Sequence, residues 1–443
     1  MNVLNEDDWE VHPTSSPVTN SSKNDHSIAS SSFYWSLAAF AIIGISGIAI
    51  NQIIVDQFGV APLGRYNTLL ALTLIGGQLG SASIHSSVLY HTPKARSTNH
   101  PTGQVLTAAM KVTFLTSAFA ALTILCLGEI ILRSTGNSYY LDGLRGISIG
   151  LFFYPLNKTL GAHINGLRRI RSFSVFLAGR FLLLLTTVIF AAYLFNSENL
   201  LPWAISISEL IIFLFLVLAI RSELTKINRE KTLSGLVKRH VRFGLKGIVG
   251  GVLLDLNTRI DVLALGVLVG SRAVGIYSLA SLFAEGLYQL AMTARYNYDP
   301  VVTQLHIEGR TKELEATIKK AKRRIYGLMI GVILLANLSY PLVAQVLFGR
   351  DLAYESWPVF AILSIGVTFS AGYIPFTNLP QQIGAPLKQS KLLGSISGTN
   401  LLLNVILIPF WGPIGAAVAT AISQITLIPY LRRLTFPLLK FKP

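Results

Sequence analysis

The chain has 443 residues, 51% of them hydrophobic and only 13% charged, with a mean hydropathy of +0.54. A soluble domain carries about 25% charged residues, so this composition excludes an ordinary water-soluble protein, and the net charge of +16 has to be located before it is read as affinity for nucleic acid. Apolar stretches recur that are each long enough for a hydrocarbon core of about 30 Å, while the alternating decads of a membrane β-barrel are missing. Residues 1–32, acidic and Ser-rich without periodicity, read as a disordered cytoplasmic tail. They lack the basic-then-apolar order of a cleaved signal.

Twelve spans follow, at 33–55, 66–91, 105–132, 145–166, 172–196, 201–220, 247–270, 274–299, 326–348, 357–379, 389–410 and 412–431. They divide into an N-terminal six-helix bundle (33–220), a basic cytoplasmic linker (221–246), a C-terminal six-helix bundle (247–431) and a cytoplasmic tail (432–443). The expected fold is therefore an all-α polytopic membrane protein, its two bundles related by a pseudo-two-fold around a central cavity.

The positive charge tests that count. With both termini cytoplasmic, Arg65, Arg133, Arg145, Arg272 and Arg350 fall outside, and Lys111, Lys158, Arg180, Arg259 and Arg295 fall within spans. Every other Lys and Arg lies in a cytoplasmic segment or, for Lys391, at the cytoplasmic end of a span, which is the positive-inside pattern. The charge is thus mostly topological, and no nucleic-acid partner is expected. The lone Cys126 rules out an internal disulfide. His85, His91, His100 and His163 make no ligand spacing with carboxylates, so no metal is expected.

The two halves echo each other. Gly59, Gly64 and Tyr66 in FGVAPLGRYNTLL match Gly270, Gly275 and Tyr277 in VGSRAVGIYSLAS at a constant offset, where the first and second helices of each half join. A second echo relates Pro155, Leu167 and Arg168 to Pro375, Leu387 and Lys388. Parallel repeats of this kind are a transporter signature. The stretch from Arg259 and Asp261, through Gly275-Ile-Tyr277, to Pro300, together with the Gly64-x-Tyr66 echo, resembles the polysaccharide flippases of the multidrug/oligosaccharidyl-lipid/polysaccharide exporter superfamily. The multidrug branch often carries a carboxylate within its first helix, where this chain has none before Asp56. The peptidoglycan lipid flippases usually have two further helices.

The resemblance implies a flippase that moves an undecaprenyl-diphosphate-linked oligosaccharide from the cytoplasmic to the periplasmic leaflet of the bacterial inner membrane. It would serve O-antigen, capsule or exopolysaccharide assembly beside a polymerase and a chain-length regulator. A cation-coupled multidrug antiporter of the same superfold, and an integral-membrane polymerase or ligase, are the alternatives. A polymerase or ligase would want a large outward loop, whereas the longest loops here are cytoplasmic. No Gly-x-x-x-x-Gly-Lys-Ser/Thr occurs, so ATP hydrolysis by this chain is not expected, and neither is a cofactor.

Arg259, Arg180, Lys158, Arg295 and Lys111 are the candidate cations of a basic vestibule for the diphosphate. Lys111 and Arg295 lie close enough to an interface to snorkel instead. The acids Asp255, Asp261, Glu285 and Glu209 are candidates for charge pairing, gating, or proton or sodium coupling. Asp255 and Arg259, about 40° apart on a helix, share a face. Asp261 sits on another.

Overall fold

The computed structural model describes residues 22–98, 100–134, 136, 138–224 and 230–439, and among them there is helix and no strand. The first half comprises α1 (Ser22–Phe58), α2 (Val60–Ser81), α3 (Ile84–Ser97), α4 (Thr102–Ser134), α5 (Ser138–Gly146), α6 (Ser148–Gly166), α7 (Ile170–Ile189) and α8 (Leu201–Leu224). The second comprises α9 (Glu230–Leu268), α10 (Ser271–Thr293), α11 (Arg295–Ile307), α12 (Thr311–Phe348), α13 (Arg350–Ser370), the short α14 (Leu379–Gln382) and α15 (Pro386–Leu439). Gly412, at φ 53°, divides α15 into two crossings. Each predicted span falls mostly on helix, although the one at 357–379 leaves the α-helix after Ser370, and the described residues form an all-helical bundle.

Several boundaries differ from the expectation. Helix α1 begins inside the stretch read as a tail, and 1–21 lies outside the described residues. The span at 66–91 is broken by Ala82 and Ser83, both left-handed, a conformation that costs a non-glycine residue about 1–2 kcal/mol. The segment read as a basic linker is helical from Glu230 and continues without interruption into α9. Residues 225–229 are outside the described residues. Leu233, Leu236, His240 and Gly244 are buried at helical spacing, so this charged stretch packs as an amphipathic helix on α3 and α4. The second sequence echo survives in position only: Pro155 lies inside α6, whereas Pro375 lies in a one-turn 3-10 helix.

The first echo is structural. Gly59 (φ 91°, ψ −179°) and Gly270 (φ 122°, ψ 176°) precede α2 and α10 in nearly the same conformation, one that suits glycine. Five residues on, Gly64 and Gly275 meet across the interface of the halves. A Cβ on Gly64 would lie 1.7 Å from the Ser271 carbonyl oxygen, and one on Gly275 would lie 2.2 Å from that of Val60. Close backbone approach of this kind replaces the hydrophobic effect as the source of helix contact within a membrane. At the opposite end the halves meet through α9, whose Gly244 and Gly251 pack on Ala82 and Gln78 beside the left-handed break.

Candidate substrate cavity between the halves

Between these two contacts lies a cavity of about 580 Å³, walled by α1, α2, α7, α9 and α10. Leu37, Phe40, Ile43 and Leu290 make it apolar along one side, and Asn51, Asn67, Ser278, Ser281 and Gln289 supply amides and hydroxyls. Gly44 and Gly47 keep the α1 wall thin. Among the described lining residues Arg259 is the one cation and Glu285 the one acid.

Among the described residues Arg259 has one ion-pair partner. Its Nη1 donates to Glu285 Oε1 at 3.5 Å, the outer limit of a hydrogen bond. The side chain of Glu285 is 51% exposed. A guanidinium has five N–H donors in a planar fork, and this is the one ion pair described for it. The side chain of Asp255, expected to pair with Arg259, lies outside the described residues. Tyr66 also lines the cavity. Its side chain is buried, and its hydroxyl has no hydrogen-bond partner among the described residues.

The other expected cations do not join Arg259. Arg180 donates through Nε to Glu209 Oε1 at 2.6 Å, Asn157 donates to Glu209 Oε2 at 2.9 Å, and the guanidinium lies 4.4 Å from the Tyr154 ring centroid. With Glu209 buried, this is a pair between α7 and α8, braced by α6. Such a pair arises because a lone charge at mid-membrane costs about 2.5–3.5 kcal/mol or more. Lys158 donates to Gln78, joining α6 to α2. Arg295 donates to Asp299 Oδ2 at 3.1 Å, one turn along α11. Lys111 is exposed on α4, away from the cavity lining. The basic vestibule of five cations thus reduces to Arg259 at the cavity itself.

Two of the acids also have partners: Glu209 neutralises Arg180, and Asp261 serves as a buried acceptor. Asp261 Oδ1 accepts the Val262 N–H at 2.8 Å, and Oδ2 accepts the hydroxyl of Tyr277, which also lies 3.4 Å from Thr420 Oγ1. The motif tyrosine therefore ties α9 to α10 and reaches α15. Its counterpart Tyr66 has no such acid. At offset 211 the position of Asp261 is taken by Ile50. The sequence named Asp261 and Tyr277 separately without signalling that one held the other. It missed the cavity amides Asn51, Asn67 and Gln289, because isolated amides in apolar helices carry no spacing signature.

A lipid II flippase, MurJ, in an inward closed conformation superposes on the chain with a TM-score of 0.74 at 15% identity, over 93% of this chain and 88% of the other. The fold is that of the MOP superfamily. An inward-facing multidrug resistance MATE-family transporter of that superfamily superposes with a TM-score of 0.72 at 14% identity, over 91% and 99% of the two chains. Identity this low carries the MOP fold and not the substrate. No protein-family model matches the chain. In sequence, a membrane protein of Methanocaldococcus jannaschii, itself uncharacterized, is 25% identical over 238 residues, which are 52% of this chain. The match spans 46% of that relative's length.

Proposed function

We propose that this MOP-fold chain is a flippase for a polyprenyl-diphosphate-linked oligosaccharide, with undecaprenyl diphosphate as the carrier and the bacterial inner membrane as its site. One observation carries the reading. Arg259 stands in a largely apolar cavity between the halves and, among the described residues, makes one long hydrogen bond, to Glu285, so its planar donors can close on a diphosphate. The apolar α1 wall suits the first isoprenoid units, and the amides and hydroxyls opposite suit the first sugars. The distribution of Lys and Arg supports cytoplasmic termini, which would make the Gly59/Gly270 end periplasmic and the closed contact at Gly64 and Gly275 the periplasmic gate. Coupling to protons or sodium would fall to Glu285, since Glu209 and Asp261 are engaged elsewhere.

Glu285 also supports a second reading, a cation-coupled multidrug antiporter, because it is more exposed to the cavity than Arg259. Binding of undecaprenyl diphosphate and of tetraphenylphosphonium to the purified protein separates the two. The flippase reading predicts saturable binding of the diphosphate lipid that Arg259→Ala removes. Binding of the cation alone, removed by Glu285→Gln, would establish the antiporter instead.

A further inference from the structure

Three elements of the second half meet at the end of the molecule that carries most of its Lys and Arg. Lys322 lies near the start of the α12 crossing, Tyr373 in the turn that follows α13, and Arg432 near the end of α15. The turn is held in place. Tyr326 donates to the Phe369 carbonyl at 2.7 Å, and its ring packs so closely on Gly372 that a Cβ there would lie 2.3 Å from it. Tyr373 is thereby fixed, and its side chain is buried.

Two cations converge on its hydroxyl. Lys322 Nζ donates to Tyr373 Oη at 2.9 Å, and Arg432 Nη2 donates to the same oxygen. They also lie beside the ring, 4.2 Å and 5.3 Å from its centroid. An ammonium and a guanidinium can only donate, so they fill the acceptor sites of the phenol and leave its own proton to donate. Each cation carries further N–H groups, and neither is sealed off: Arg432 is exposed and Lys322 half-buried. The acids of α12 are engaged elsewhere, Glu313 with Arg310 at 2.5 Å and Glu315 with Lys319 at 2.7 Å, and α15 contains no Asp or Glu. Two like charges held on one neutral oxygen repel each other. An anionic oxygen placed between them turns that repulsion into attraction.

We propose that Lys322, Arg432 and Tyr373 bind the phosphodiester headgroup of an anionic phospholipid, in the leaflet at this end of the protein. Basic pockets between membrane helices on the cytoplasmic side suit such headgroups, and the positive-inside bias assigns this end to the cytoplasm. Phosphate oxygens take charge-assisted hydrogen bonds from a guanidinium and an ammonium together. The rest of the lipid also has surface to meet. Leu328, about 9 Å along α12 from Lys322, and Phe369 on α13 are exposed and apolar, as an acyl chain requires. A free phosphate has no use for that surface. The headgroup joins α12 to α15 across the end of α13.

This site is separate from the cavity between the halves and does not depend on what that cavity carries. The full-length protein in detergent is titrated with dioleoylphosphatidylglycerol, dioleoylphosphatidylcholine and inorganic phosphate. Retained lipid is counted by native mass spectrometry, with the melting temperature alongside. The native chain should prefer the anionic lipid by at least about tenfold, the worth of two cations at an anionic surface. Lys322→Gln combined with Arg432→Gln should lose most of that preference, and Tyr373→Phe part of it. A control that removes equal charge from the exposed face of α12, Arg323→Gln with Arg324→Gln, should keep most of it. If the first double variant does not fold, Arg432→Gln alone, at an exposed position, should still lower the preference. Equal retention of the two lipids by the native chain overturns the site. So does a control that loses as much as the first double variant, which marks diffuse surface charge. Displacement of the lipid by millimolar phosphate overturns it too, and marks a free-anion site instead.

Discussion

Arg259 and Arg180 are both guanidiniums in the middle of membrane helices, and their surroundings give them opposite roles. Arg180 has a buried carboxylate at hydrogen-bond distance, and Arg259 has a half-exposed one at the limit. Arg180→Leu should lower the melting temperature of the purified protein, because an unpaired buried Glu209 costs about 3–5 kcal/mol. The double change with Glu209→Leu should recover most of that loss, since packed apolar residues replace such a pair at little cost. A double variant as unstable as the single one would contradict a structural role. Arg259→Ala should instead leave abundance and melting unchanged while weakening undecaprenyl diphosphate binding by about tenfold or more, the worth of a charge-assisted contact. Lys should restore it only in part. If the combination of Arg259→Ala with Glu285→Gln binds normally, Arg259 serves only to neutralise Glu285. The charge of Arg180 and Arg259 and their place within apolar helices were legible in the sequence. Their partners were not, because the angle of a side chain on its own helix says nothing about the neighbouring helix. Glu209 lies 29 positions from Arg180.

At the scale of elements, the repeat at the starts of α2 and α10 was legible, and the contacts that these helices and α9 make between the halves were not. The glycines at 59, 64, 270 and 275 could be matched because backbone demands permit few other residues there, and such demands repeat when a fold repeats. Residues 230–246 carry the charge density of a loop, which masked the helical spacing of Leu233, Leu236, His240 and Gly244. Gly64→Ala should open the gate it closes. Relieving an overpacked contact of about 1–3 kcal/mol shifts a two-state population by about five- to a hundredfold. With Cys126 replaced by Ser, spin labels at Gln57 and Val269 should report a longer distance in the variant, and an unchanged distribution would dissociate Gly64 from gating.

His240 gives the other contact a pH dependence. Its Nδ1 lies 2.9 Å from Ser87 Oγ and its Nε2 3.1 Å from the Val105 carbonyl. Burial, with a lesser contribution from His91, lowers its pKa from 6.5 to about 4, against the Val105 bond. The folded state therefore resists protonation. The stability His240 lends is complete above pH 6.5 and is lost as pH falls toward 4, on the order of 3 kcal/mol. Melting temperature should fall across that window in the native chain and fall less in His240→Gln. Parallel pH profiles would contradict the assignment.

On the scale of the whole molecule, length and hydropathy alone pick out, among the described residues, seven helices long and apolar enough to cross a membrane, the last of which covers both arms of α15. The spans they omit, at 66–91, 145–166, 247–270 and 274–299, contain Asn67, Lys158, Arg259 and Glu285. Three of these helices, α2, α9 and α10, line the cavity and make the contacts between the halves, so what weakens their hydropathy is the cavity they build, whereas α6 packs within the first half. The apolar stretches along the sequence placed these spans, and the loop charge supported their number. A reporter fused after Pro443 should lie in the cytoplasm and one inserted at Ser138 in the periplasm. The reverse would invert the gate. Transport itself is the most direct test. Undecaprenyl diphosphate carrying a fluorescently labelled trisaccharide is loaded in the inner leaflet of liposomes, and its arrival in the outer leaflet is followed by a membrane-impermeant quencher. Liposomes holding the native chain should lose protection within minutes, while those holding Arg259→Ala, like protein-free ones, should stay protected. Native protein that moves the lipid no faster than bare liposomes would contradict the account.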